Sequence, residues 1–153
     1  MRNMKIDTVE LRIKRTSSID LSIEDNDICV PDIAKQIFCY MIGDVTVEHA
    51  ALLSLDIADR VINYSTISIG GISSVRVLIS QVFRCALLSN AAKIIVAHNH
   101  PSGILKITDE DIDITKKMAY IARLFDIEFV DSIIVSGNDA ISIRDHCKEF
   151  CHE

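Results

Sequence analysis

Apolar residues recur along this chain in two periods, and each switch between them marks the edge of a predicted element. Near the start, Val9, Leu11 and Ile13 alternate with Glu10, Arg12 and Lys14, which predicts a strand buried on one face. Residues 31–42, PDIAKQIFCYMI, read as a helix opened by Pro31, with Ile33, Ile37, Tyr40 and Met41 along one side. Residues 50–57 (AALLSLDI) and 61–69 (VINYSTISI) predict two strands around the polar turn Ala58-Asp59-Arg60, and Gly70-Gly71 breaks the second. Ser80 is placed to cap a helix over QVFRCALLSNA, with Val82, Ala86 and Leu87 facing inward. The run KIIVA at 93–97 predicts a buried strand. A helix from Thr108 to Phe125 keeps Ile112, Thr115, Ala119, Ala122 and Phe125 near one face. Strand 127–135, the turn Gly137-Asn138-Asp139 and strand 140–144 close the pattern.

The predicted order is βαββαβαββ, a single compact α/β domain over residues 1–153 with helices flanking a mixed sheet. Its core spans about 31–145, residues 1–30 form a strand and a polar connection, and 146–153 form a tail. A chain of 153 residues buries roughly two-thirds of its unfolded surface. With no Trp and 5% aromatic content, that core rests on Ile, Leu, Val and Ala.

Charge narrows the functions to consider. Lys and Arg number 16 against 22 Asp and Glu, a net charge of −6, so the chain lacks the basic footprint of a phosphate-neutralising protein. The patch Arg2, Lys5, Arg12, Lys14 and Arg15 does not reverse this, and composition lends a nucleic-acid partner no support. No apolar run approaches the ~20 residues that span a bilayer. MRNMKIDTVELRIKR lacks the apolar segment and cleavage site of a signal peptide. The five cysteines, Cys29, Cys39, Cys85, Cys147 and Cys151, are scattered and odd in number, and three lie in apolar stretches where reduced thiols are expected. These features together predict a cytoplasmic, reducing location and no membrane association.

The chemistry concentrates at residues 98–111. His98 and His100 stand two apart at the end of a buried strand, and extended alternation puts both imidazoles on one side. Asp111 lies in the first turn of the next helix, and Pro101-Ser102-Gly103 supplies a turn that can return that helix toward the histidines. Two imidazoles and one carboxylate make a three-ligand zinc site with a fourth position open to water, the pattern of a catalytic rather than a structural ion. Thr108-x-x-Asp111 is equally a capping box, with Thr108 at the N-cap and Asp111 three residues on. The readings are compatible for Thr108, whose hydroxyl can cap and still face the site. A second group, His146, Cys147, Cys151 and His152 in DHCKEFCHE, also offers metal donors, but it sits in one segment at a terminus. His49 alternates to the opposite strand face and is not expected to be a ligand.

AHNHPSG followed by TDEDIDIT resembles the metal-binding segment of the RadC-like branch of the JAMM (MPN-type) metallohydrolases, with its H-x-H-x7-S-x-x-D signature and upstream Glu. The resemblance runs from about Val47 to Arg144 and includes EHAALLSLD, SIGGISS, QVFRCALLSNAAKIIVAHNHPSG and IEFVDSIIV. It implies the JAB/MPN, cytidine-deaminase-like fold, with one catalytic zinc held by His98, His100 and Asp111. It implies that Thr108 replaces the family Ser and stabilises an oxyanion, and that Glu48 is the acid exchanging protons with water and leaving group. The implied activity is that of a zinc metallopeptidase on peptide or isopeptide bonds. Two other readings stay open: a catalytically silent, DNA-repair-associated adaptor, and a metal-dependent nuclease. This chain departs from its relatives at Ile104-Leu105-Lys106-Ile107, where they carry prolines and a Ser, and at Ser132, where they often have His. Longer RadC-like proteins add an N-terminal helix-hairpin-helix region, for which this sequence is expected to lack room. The sequence sets neither the substrate nor the oligomeric state.

Overall fold

Pro31 sits in the first turn of α1 (Val30–Ile42), where its missing N–H costs nothing. The computed structural model describes residues 6–10, 12–22, 30–70 and 75–147; Leu11, Cys29, Gly71, Cys151 and His152 lie outside them. After α1 come β1 (His49–Leu55), β2 (Val61–Ile69), α2 (Val75–Leu88), β3 (Lys93–Asn99), α3 (Asp109–Leu124), β4 (Glu128–Ser136), β5 (Asp139–Ser142) and the single turn α4 (Ile143–His146). The strands form one mixed sheet in the order β2-β1-β3-β4-β5, in which only β3 and β4 run parallel. The expected α/β domain, a mixed sheet with flanking helices, is what the chain forms.

Alternation along the central strands explains the layering. On one side, Ala50 and Leu52 of β1 and Ile94 and Val96 of β3 pack with Val82 and Phe83 of α2 and Met118 and Ala122 of α3. On the other, Ala51, Leu53, Ile95 and Ala97 pack with Ala34, Ile37 and Phe38 of α1. β3 is therefore covered on both faces, which is why it reads as a continuous apolar run. The same parity sends His98 to the α2/α3 side and Asn99 to the α1 side.

Three expectations need correction. Val9 and Ile13 are 86% and 52% exposed, and no strand forms over the described residues before α1. Alternation specifies a face but supplies no partner for the backbone, and residues 13–21 run beside edge strand β2 across a groove without joining its ladder. Second, α2 begins at Val75, so Ser80 lies inside it and not at its N-cap. Its stripe starts earlier, at Leu78 and Ile79, and continues through Val82, Phe83 and Ala86. Third, β5 stops at Ser142, whose hydroxyl accepts from Asp145 N at 3.0 Å and caps α4 where a strand was expected to run on to Arg144. The buried Asp131 supports this corner, accepting from the backbone N–H of Arg144 at 3.2 Å. Burial pushes the Asp131 carboxyl up from its ordinary value, against the opposing pull of Ser142 and the Arg144 and Ser132 amides. Cys39, Cys85 and Cys147 are free thiols, half-buried instead of fully enclosed.

Gly43 ends α1 where the chain turns toward β1, and its carbonyl accepts from Gly137 N at 2.9 Å. A Cβ here would overlap the carbonyl oxygens of Gly137 and Cys39, both backbone atoms that cannot step aside. Gly43→Ala is therefore expected to lower stability by about 1–3 kcal/mol, the scale of overpacking. A denaturant midpoint equal to the parent's would contradict this close approach.

Candidate metal centre

β3 delivers both histidines. His98 is its penultimate residue, and the ladder continues one step further because His100 N donates to Val135 O at 2.9 Å. The His100 carbonyl accepts from Ser136 Oγ at 3.1 Å and Gly103 N at 3.1 Å, so the backbone leaving β3 is held on two sides. His100 Nδ1 faces the Ile104 carbonyl at 3.0 Å. A bond donated there fixes the tautomer and leaves Nε2 bare as a metal donor. The segment 104–107, lacking the family's prolines, is thus tied to the site through its own backbone.

Helix α3 delivers the carboxylate, and its cap aims it. Thr108 has extended backbone and accepts from Asp111 N at 3.2 Å, while its own N–H donates to Asp111 Oδ2 at 2.9 Å. The Thr108 hydroxyl also donates to Oδ2, at 2.6 Å. One oxygen of Asp111 is therefore taken by the cap, and the other, Oδ1, lies 3.1 Å from His98 Nε2. The capping reading of Thr108-x-x-Asp111 is thus what the chain forms, and it leaves Oδ1 on the side of His98, where the ligand reading needs an oxygen. The single hydroxyl hydrogen of Thr108 is engaged by Asp111, so an oxyanion role would require it to leave that bond. Burial pushes the Asp111 carboxyl up, but His98, the Thr108 hydroxyl and the Thr108 amide outweigh it and hold the group well below the usual carboxylate range.

His98 Nε2 and His100 Nε2 are 3.1 Å apart. Donors about 2.0–2.1 Å from a tetrahedral zinc stand about 3.3 Å from one another, so the cage is close to the size a metal needs. The ligand atoms of His98, His100 and Asp111 all lie within 4.8 Å of one another, and no other such group forms among the described residues. His146, from the C-terminal cluster, turns Nδ1 to the Ser142 carbonyl at 2.8 Å. The imidazole pair and carboxylate match the donor set of a catalytic zinc site, and the group can hold a metal ion.

Glu48 enters from β1. The antiparallel β1/β3 ladder ends with Ala50 opposite His98, which brings Glu48, two residues before Ala50, to the strand end that carries the histidines. It lines the same cavity of about 480 Å³ as His98, Glu110 and Asp111, above an apolar floor that includes Val96, Ile114 and Met118. Ser132, the residue at which the chain departs from its relatives, lines it too.

The RadC-like JAB domain family matches residues 28–148. The chain belongs to this family. Among curated relatives, it is 37% identical over 134 residues to a UPF0758 protein of Finegoldia magna, covering 88% of this chain and 60% of that protein. It is 41% identical over 98 residues to a UPF0758 protein of Chloroflexus aurantiacus, covering 64% of this chain and 43% of the relative. A UPF0758 protein of Chlorobaculum tepidum is 34% identical over 116 residues, covering 74% of this chain and 52% of the relative. The chain thus spans about half the length of these curated relatives. As a JAB domain with a convergent His-His-Asp group, it has the framework of a metal-dependent hydrolase. No helix among the described residues is long and apolar enough to cross a membrane.

Asn99 and the Ile104 carbonyl escape a reading of motifs alone. An amide at the parity of an apolar core position was the visible signal for Asn99, whereas a backbone carbonyl leaves none.

Thr108→Val removes the side-chain cap and the hydroxyl's bond to Asp111 Oδ2, leaving only the backbone N–H of residue 108 on that oxygen, while keeping side-chain shape. It is expected to cost about 1 kcal/mol in the metal-free protein and to weaken metal affinity roughly 10- to 100-fold. Thermal unfolding and competitive metal titration measure the two effects separately. An unchanged affinity would limit Thr108 to capping.

Proposed function

We propose that the chain is a zinc-dependent hydrolase of JAMM type acting on amide bonds, of peptide or isopeptide kind. The observation that carries this reading is the convergence of His98 Nε2, His100 Nε2 and an Asp111 oxygen beside a cavity that Glu48 also lines. A zinc ion bound there would supply Lewis acidity, polarising a substrate carbonyl and making water acidic enough to react near neutral pH. His98, His100 and Asp111 would hold it, leaving one coordination position toward the cavity. Glu48 accepts a proton from the attacking water at its carboxylate and passes it to the departing amine nitrogen. Thr108 works through Asp111, keeping one carboxylate oxygen turned to the cage. The apolar floor limits competing water near the reacting carbonyl.

The net charge of −6 disfavours the nuclease alternative, since a polyphosphate backbone would approach an acidic protein. The test is a panel of peptides and isopeptide-linked conjugates, with single- and double-stranded DNA in parallel, offered to zinc-loaded protein. Amide cleavage that chelation stops and zinc restores supports the reading. Cleavage of DNA alone would replace it with the nuclease, and zinc binding without cleavage of either substrate class would favour the adaptor.

A further inference from the structure

Between the two histidines stands a residue that cannot reach the cage. Asn99 is fully buried, and strand parity turns its side chain away from the cavity toward the α1 side of the sheet. An amide in such surroundings is costly unless its donors and acceptor are used. Here they are. Its Oδ1 accepts from His49 N, and its Nδ2 donates to Val45 O at 3.3 Å and Val47 O at 3.1 Å. Val45 and Val47 lie in the short connection between α1 and β1 and His49 opens β1, so Val47 and His49 flank Glu48 directly. Glu48's own carbonyl accepts from Gly70 N at 2.8 Å, closing the connection from the β2 side.

We propose that Asn99 is a positioning residue, which ties the backbone around Glu48 to the strand end that carries His98 and His100. The restraint spans fifty residues of sequence and joins the two halves of the site through one side chain. The chemistry explains the residue type. Asp keeps the acceptor for His49 N but sets oxygen against two carbonyls, Gln is one methylene too long, and Leu removes the side-chain partner from all three backbone groups. The catalytic meaning of the restraint rests on the function proposed above, but the restraint itself does not, and metal-free protein suffices to test it.

The experiment follows amide hydrogen exchange and residual dipolar couplings in ¹⁵N-labelled protein without metal. In Asn99→Ala, exchange at His49 is expected to accelerate at least tenfold beyond any change at His98 and His100, and the couplings of Val47 to His49 to shrink. In Asn99→Asp, which retains the acceptor and the shape, His49 should stay protected while the Val47 and Glu48 couplings shrink. Should Asn99→Ala fail to fold, the Asp variant decides alone. Couplings at 47–48 equal to the parent's would overturn the proposal, and so would losses spread evenly over 47–49 and 98–100, the mark of general destabilisation. A cobalt titration of the same samples separates this result from the hydrolase reading. Parent protein that binds no cobalt counts against the metal site, whereas equal cobalt affinity in parent and Asn99→Asp is expected, because no ligand has moved. If a substrate is cleaved, Asn99→Asp should lower kcat at least tenfold in the parent background and less than twofold in a Glu48→Gln background.

Discussion

Protein carrying both His98→Ala and His100→Ala is expected to retain no metal at neutral pH, while the parent purifies with about one equivalent of zinc. The two Nε2 atoms are 3.1 Å apart, and together they supply two of the three donors. Losing both leaves Asp111 Oδ1 alone, and one carboxylate does not hold zinc against buffer and chelator. The loss should be measurable by elemental analysis of the purified variant. The fold should survive it, because the packing that holds β3 comes from Ile94, Ile95, Val96 and Ala97, all fully or nearly fully buried. Far-ultraviolet circular dichroism matching the parent would establish that. A double variant that still carries one equivalent of zinc would move the metal elsewhere, and DHCKEFCHE would be the first segment to examine.

Glu48→Gln is expected to lower turnover roughly a hundredfold or more, the scale of general acid–base contributions, with zinc content and melting temperature unchanged. Gln keeps the length and hydrogen-bonding reach of Glu but cannot take a proton from water, so the substitution isolates that step. The backbone restraints on this segment, from Asn99 and Gly70, engage main-chain atoms and are untouched by the change. The comparison also separates an enzyme from an adaptor. A binding module built on the same fold would keep its partner affinity in Glu48→Gln, and its lack of turnover would be no worse than the parent's. A Glu48→Gln variant that cleaves amide substrate at the parent's rate would remove Glu48 from the mechanism.

Much of this architecture was readable from periodicity. β1 to β4, α1 and α3 begin and end within a few residues of where the hydrophobic pattern sets them, and all but the edge strand β2 pack a regular stripe or run into the core. The early strand at Val9 to Ile13 was misread for a physical reason: alternating residues define a face, and only a neighbouring backbone makes that face a strand. Ser80 has the residue type of a cap, but the apolar stripe of α2 already begins before it, at Leu78 and Ile79, so the helix starts at Val75. At the site, His98, His100 and Asp111 could be found because they lie on adjoining elements and have side chains suited to metal. Glu48 could be selected only by resemblance, since its place beside the histidines depends on the antiparallel register of β1 on β3, which local pattern does not reveal. The cap at Thr108 was visible, but its effect of dividing the two oxygens of Asp111 between helix and cage was not.

The span of chain between the partners at the site sets an order of assembly. His98 and Asp111 are thirteen positions apart and meet through one loop, whereas the pair His49 and Asn99 is separated by fifty. Closing the longer loop costs about 1 kcal/mol more chain entropy, two doublings at about 0.6 kcal/mol each. Contacts distant in sequence also tend to form late. A refolding chain should therefore gain the ability to capture metal before the segment bearing Glu48 docks, so a nascent molecule passes through a stage that holds the ion without the proton acceptor. Pulsed hydrogen exchange during refolding, run beside stopped-flow cobalt absorbance, should show the cobalt signal rising before His49 becomes protected. Coincident traces would mean that cage and acid form as a single unit.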